Sequence, residues 1–154
     1  MGEIVDIWIK RVHGGVMDWV HRADAIAGRG LAGNADRSRR RQITIIDEAA
    51  WRDAAAETGR DVDPSKRRAN VMLRGIPLAN SRGKLLRLGA CLVRILGETR
   101  PCERMEEAQA GLRKALSPNW RAGVFAEILE GGAIHVGDHA ELVDEAEVEQ
   151  PALF

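Results

Sequence analysis

Short runs rich in Ile, Val and Leu, most of them joined by tight glycine-centred links, constrain the fold of this chain more than any other feature. EIVDIWIKRV (3–12) alternates apolar and polar residues, as a half-buried strand does, and HGG (13–15) follows as a turn. RQITIID (41–47) and NVMLRGIPL (70–78) read as strands, the second running into a turn. GKLLRLGACLVRILGE (83–98) reads as two strands about Gly89. AGVFAEILEGGAIHVGDHAELV (122–143) reads as two strands joined by Gly131–Gly132 and a short third strand after Gly137–Asp138, in hairpin fashion. Strands that follow one another this closely leave no room for the crossover helices of a doubly wound parallel sheet. The expected fold is mainly β with short helices, a small, largely antiparallel closed barrel of six to eight strands.

Two helices are expected. Asp47 is placed as the N-cap of EAAWRDAAAETG, which stops at Gly59. CERMEEAQAGLRKAL (102–116) sets Met105, Ala108, Leu112 and Leu116 on one face. Asp63 before Pro64 predicts a short helical turn with Lys66, Arg67 and Arg68 near its end. VMDWVHRADAIAG (16–28) fits helix or extended chain, because its apolar spacing is cut by Gly28, Gly30 and Gly33. A chain of 154 residues is expected to form one domain, residues 1–143, followed by an acidic, mobile tail, 144–154.

The 23 basic and 23 acidic side chains cancel, which argues against a chain devoted to nucleic acid or to a membrane surface. Nineteen of the basic residues are arginine, whose planar fork suits oxyanions. They cluster in RSRRRQ (37–42) and SKRR (65–68). The stretch SKRRAN combines Lys66, Arg67 and Arg68 with Asn70, a mixture suited to phosphate, although a solvated face is the ordinary use of such a run. Two cysteines and the absence of a signal-like start predict a cytoplasmic protein with reduced thiols.

Cys91 alternates into an apolar strand and is expected in the core. Cys102 follows Pro101 at a predicted helix start, with Arg100 and Arg104 beside it, a setting that favours a thiolate nucleophile or metal ligand. The same position also suits a residue that only begins a helix. His13, His21, His135 and His139 are scattered and suggest no zinc site. GRGLAG (28–33) has glycine spacing like a dinucleotide fingerprint but follows no buried strand.

GLAGNADRSRRRQITIID, GRDVDPSKRRANVMLRGIPL, RGKLLRLGACLVRILGETRPCERMEE and RAGVFAEILEGGAIHVGD occur in this order. Together they resemble the MOSC domain family, named for the C-terminal domain of molybdenum cofactor sulfurase, over about Gly30 to Asp138. The resemblance implies a closed MOSC-like β-barrel and a link to molybdenum cofactor. It implies Cys102 as the molybdenum ligand and catalytic residue, with Arg67, Arg68 and Asn70 as cofactor contacts. Reduction of N-hydroxylated compounds is the reaction class it suggests. A sulfur carrier using a Cys102 persulfide, and a non-catalytic anion-binding module, are the alternatives. Larger relatives carry a partner barrel, an iron–sulfur domain or a desulfurase domain that these residues do not contain. The expected partner is therefore a separate electron-transfer protein or a cysteine desulfurase, with no nucleic acid and no membrane.

Overall fold

The computed structural model describes residues 2–35 and 38–144. Eleven strands occur among them: β1 Gly2–Lys10, β2 Met17–Trp19, β3 Arg22–Ile26, β4 Gly30–Leu31, β5 Ile43–Asp47, β6 Val71–Arg74, β7 Leu85–Leu88, β8 Cys91–Glu98, β9 Val124–Glu130, β10 Gly132–His135 and β11 His139–Val143. Three short helices join them: α1 Glu48–Glu57, α2 Glu103–Ala108 and α3 Leu112–Leu116. A single 3₁₀ turn spans Pro64–Arg67.

The strands β11-β7-β8-β9-β5-β6-β1 pair in that order, and β1 pairs back with β11, which closes a seven-stranded barrel. The expected closed barrel is the fold that forms. Strand β2 lies against β1 outside the ring, and β10-β3-β4 make a separate small sheet. Every barrel pair is antiparallel except β5 and β6, which run parallel with α1 and the 3₁₀ turn between them. A parallel pair needs such a crossover, whereas an antiparallel pair does not.

Alternation drives the closure. Val124, Ala126 and Ile128 of β9 point inward, as do Val93 and Ile95 of β8, and all five are fully or almost fully buried. In β1 a register shift between Ile4 and Asp6 breaks the alternation, so that Ile4 and Ile7 both enter the core. A second cluster sits outside the ring, where Trp51, Ala54 and Ala55 of α1 meet Leu112, Ala115 and Leu116 of α3. Asp47 caps α1 as expected: its Oδ2 accepts from Ala50 N at 3.2 Å.

One open reading is resolved and three expectations are corrected. The ambiguous stretch 16–28 is extended, forming β2 and β3, because Ala23 and Ala25 alternate into the core from β3. The single helix over 102–116 is two, broken where Gly111 adopts φ 88°. Strands β9, β10 and β11 are not hairpin partners: β10 pairs with β3, and β11 pairs with β7 and β1. Gly132 at φ 155° carries the chain from one sheet to the other, closely past Ala90, instead of folding it back on β9. The count of strands exceeds the expected six to eight because β2, β3 and β4 all arise within 17–31, where β2 and β4, two or three residues long, are too short for a periodic signal. The acidic tail from residue 145 onward lies outside the described residues.

Candidate functional site

The 3₁₀ turn decides where the basic residues go. Asp63 Oδ1 accepts from Ser65 N at 2.8 Å and starts the turn. Arg68 ends it in the left-handed region, φ 63° and ψ 33°. The two adjacent arginines therefore leave the backbone in different directions. Arg67 runs inward: its Nε donates to the Ala122 carbonyl at 2.7 Å and its Nη2 to Thr99 Oγ1 at 2.6 Å. Thr99 Oγ1 donates in turn to the same carbonyl at 2.7 Å. Arg68 runs outward, and its Nη2 donates to the Gly15 carbonyl at 2.7 Å.

Arg67 is 9% exposed, yet Nη1 makes no hydrogen bond among the described residues. Among the described residues no fully buried side-chain nitrogen or oxygen lacks a partner, so this atom is reachable from solvent. Arg67 lines a cavity of about 280 Å³. Burial pushes the Arg67 guanidinium down to about 10; the Arg41 charge acts in the same direction and Cys102 opposes it. At neutral pH it is still a cation.

The cavity lies where β1 and β8 end and β5 and β6 begin. Cys102 lines it together with five basic side chains: Lys10, Arg41, Arg67, Arg68 and Arg100. Among the described residues its lining holds no carboxylate and no histidine. The Arg41 guanidinium lies 5.5 Å from the centroid of the Phe125 ring, which holds the cation against an aromatic face. The thiol of Cys102 is exposed. Cys102 is the N-cap of α2, but its side chain makes no capping hydrogen bond, and α2 is only six residues long. Its surroundings are thus set by the arginines more than by a helix. Cys91 is the opposite case: it is fully buried in the barrel, and burial pushes its thiol up to about 12.

Asn70 also lines the cavity, as a brace. Its Oδ1 accepts from Thr44 N at 3.1 Å and Thr44 Oγ1 at 3.3 Å, and its Nδ2 donates to the Trp8 carbonyl and to Asn34 Oδ1, both at 3.2 Å. Asn34 Oδ1 accepts from Lys10 N at 2.8 Å, which extends the brace to the end of β1. All the donors and acceptors of the Asn70 amide are used within the protein. Cys102, more than thirty residues on in sequence, therefore shares one cavity wall with Arg67, Arg68 and Asn70.

Lys10, Thr44 and Thr99 carried no sequence signal for this site. They belong to strands or strand ends whose apolar alternation dominates the pattern. Arg41 and Arg100 were visible as members of a basic run and as a neighbour of Cys102, but nothing in sequence brings them together. The four histidines do not join the site: His135 contacts Asp138 and His21 stacks edge-on against Trp19. Among the described residues no group of three or more His, Cys, Asp or Glu is placed to hold a metal ion. No helix among them is long and apolar enough to cross a membrane.

The fold is shared with solved bacterial structures. The YuaD protein of Bacillus subtilis superposes with a TM-score of 0.76 at 21% identity, covering 92% of this chain and 96% of that one. YiiM of Geobacillus stearothermophilus gives a TM-score of 0.73 at 19% identity over 95% of this chain and 77% of that one. YiiM of Escherichia coli gives 0.68 at 15% identity over 94% and 71%. Comparison with curated proteins finds no match. The model of the MOSC domain family matches residues 10–141. That span takes in most of the barrel and every residue of the cavity wall, and the chain belongs to the MOSC domain family.

Proposed function

We propose that this protein binds molybdenum cofactor in the Cys102 cavity, with the Cys102 thiolate as the metal ligand, and that it reduces N-hydroxylated compounds. The observation that carries the reading is the pairing of an exposed thiol with a nine-tenths-buried arginine in the lining of one basic cavity. Burying a cation without a counter-ion is costly, and an anionic ligand offsets that cost. The family link to molybdenum cofactor makes a phosphate-bearing cofactor a ligand that fits this demand.

The donor set agrees with it. A single soft thiolate cannot hold a metal alone, so a metal bound at Cys102 brings further ligands with it, as a pterin dithiolene does. Arg67 Nη1, Arg41 and Arg100 would hold the phosphate, and Arg68 and Lys10 would add charge at the rim. Asn70 would keep the wall in place. When bound, molybdenum supplies two-electron chemistry. The overall reaction takes two electrons and two protons, converts an N–OH group to N–H and releases water. The electrons come from a separate electron-transfer protein, and reduced cytoplasmic conditions keep the Cys102 thiol available.

Elemental analysis tests the reading on protein produced in cells that synthesise the cofactor. Molybdenum is expected in the wild type, with its loss in Cys102→Ala and a reduced content in Arg67→Met. Protein without molybdenum whose Cys102 gains one sulfur atom from a cysteine desulfurase would instead be a sulfur carrier. Phosphate binding with neither metal nor persulfide would leave an anion-binding module.

A further inference from the structure

A second basic compartment adjoins the Cys102 cavity. It is a groove of about 470 Å³ that shares Met17 and Arg68 with the cavity and adds Lys66 and Arg104. The cavity itself, at about 280 Å³, is just under the usual range for small-molecule sites, about 300–1,000 Å³. A ligand larger than one anionic group must extend out of it, and the groove across Met17 is one route.

Among the described residues the groove is lined by three basic side chains and one carboxylate. Helix α2 carries acids at Glu103, Glu106 and Glu107, but two of them are engaged elsewhere. Glu103 pairs with Arg113 at 3.0 Å, and Glu106 accepts from Gly111 N at 3.0 Å and Arg113 N at 3.4 Å. Glu107 is the one carboxylate among the described residues that line the groove. Asp63 lies outside the lining; it accepts from Ser65 N, and its carboxylate also attracts Lys66. Lys66 and Arg104 form no salt bridge with a described residue, and in the lining they outweigh Glu107. Between the two basic compartments lies Met17, half-buried, whose thioether presents an adaptable apolar surface.

We propose that the site takes a ligand with two separate anionic groups joined by an apolar or aromatic middle. One anion sits on Arg67, Arg41 and Arg100 beside Cys102. The other sits on Lys66 and Arg104, and the middle crosses Met17. Arg68 lines both compartments at the junction. The inference rests on the anion reading of the Cys102 cavity and defines the shape and charge of its ligand.

The test is calorimetric titration of the full chain with alkane-α,ω-bisphosphonates of increasing length, each against the alkyl monophosphonate of the same length. One bisphosphonate length is expected to bind at least about tenfold tighter than its monophosphonate, because the second contact becomes intramolecular. Lys66→Ala/Arg104→Ala is expected to erase that gain and leave monophosphonate affinity unchanged. Both residues are exposed, so the fold is retained, which circular dichroism verifies. Bisphosphonates that bind no tighter at any length, or a gain that survives in the double variant, overturn the second subsite. Monophosphonate affinity indifferent to Arg67→Met overturns the cavity reading itself.

Discussion

Thr99 Oγ1 accepts from Arg67 at 2.6 Å and donates its own hydrogen bond to the carbonyl that Arg67 also holds, Ala122 O, at 2.7 Å. This three-point clamp fixes a buried guanidinium with one nitrogen left over for the cavity. Thr99→Val keeps the shape of the side chain and removes the acceptor. It is expected to cost about 1–3 kcal/mol, the penalty for a buried donor left without a partner. Phosphate affinity is expected to fall with it, since Arg67 is then free to swing. Chemical denaturation and phosphate titration on the same variant measure both; unchanged stability would show that the clamp is not holding Arg67.

Asn70→Leu removes a brace that joins β1, β5 and the segment at Asn34. Thr44 N, the Trp8 carbonyl and Asn34 lose partners together, so a loss of about 2–4 kcal/mol is expected, near the upper part of the range for single substitutions. Asn70→Asp is expected to be poor as well, because its carboxylate cannot donate to the Trp8 carbonyl. Thermal melts of the two variants compare these outcomes directly.

Gly123 follows the carbonyl that anchors Arg67 and holds φ 99°. A Cβ there would lie 2.2 Å from the Ile45 carbonyl oxygen, which is backbone and cannot rotate away. Gly123→Ala is expected to lower stability by several kcal/mol and to weaken phosphate binding by displacing the Ala122 carbonyl. Retained stability and affinity would contradict the close approach.

Cys91 gives a pH dependence of defined sign. Burial raises its pKa in the fold from 9.0 to about 12. The unfolded chain loses this proton first, so the contribution is complete below about pH 9 and is lost as pH rises towards 12. Wild type is therefore expected to lose stability more steeply than Cys91→Ala above pH 9 in denaturant titrations. Parallel pH profiles would show that the thiol is not buried as described. At neutral pH an alkylating reagent is expected to modify one thiol in the native protein, Cys102, and both in denaturant.

Much of the barrel was legible because alternation is a local property. Val124, Ala126 and Ile128 announce an inward face without any knowledge of the neighbouring strands. The caps of α1 and the 3₁₀ turn were legible for the same reason: Asp47 and Asp63 bond to backbone within a few residues. Short strands such as β2 and β4 were hidden because two or three residues carry no period. The glycine links were misread as hairpins because a glycine permits a turn without specifying which strand the chain meets next.

By itself, then, the sequence determined the strand-rich class, the family resemblance and a core thiol at Cys91. Only tertiary structure decided that Arg67 turns inward while Arg68 turns out, and that Asn70 is consumed as a brace. It alone brought Arg41, Arg67 and Arg100 to the same hollow as Cys102. The reason is physical: strand and cap signals arise from contacts a few residues apart. The clamp on Arg67 joins groups 32 and 55 residues distant, which meet only when the ring of strands closes.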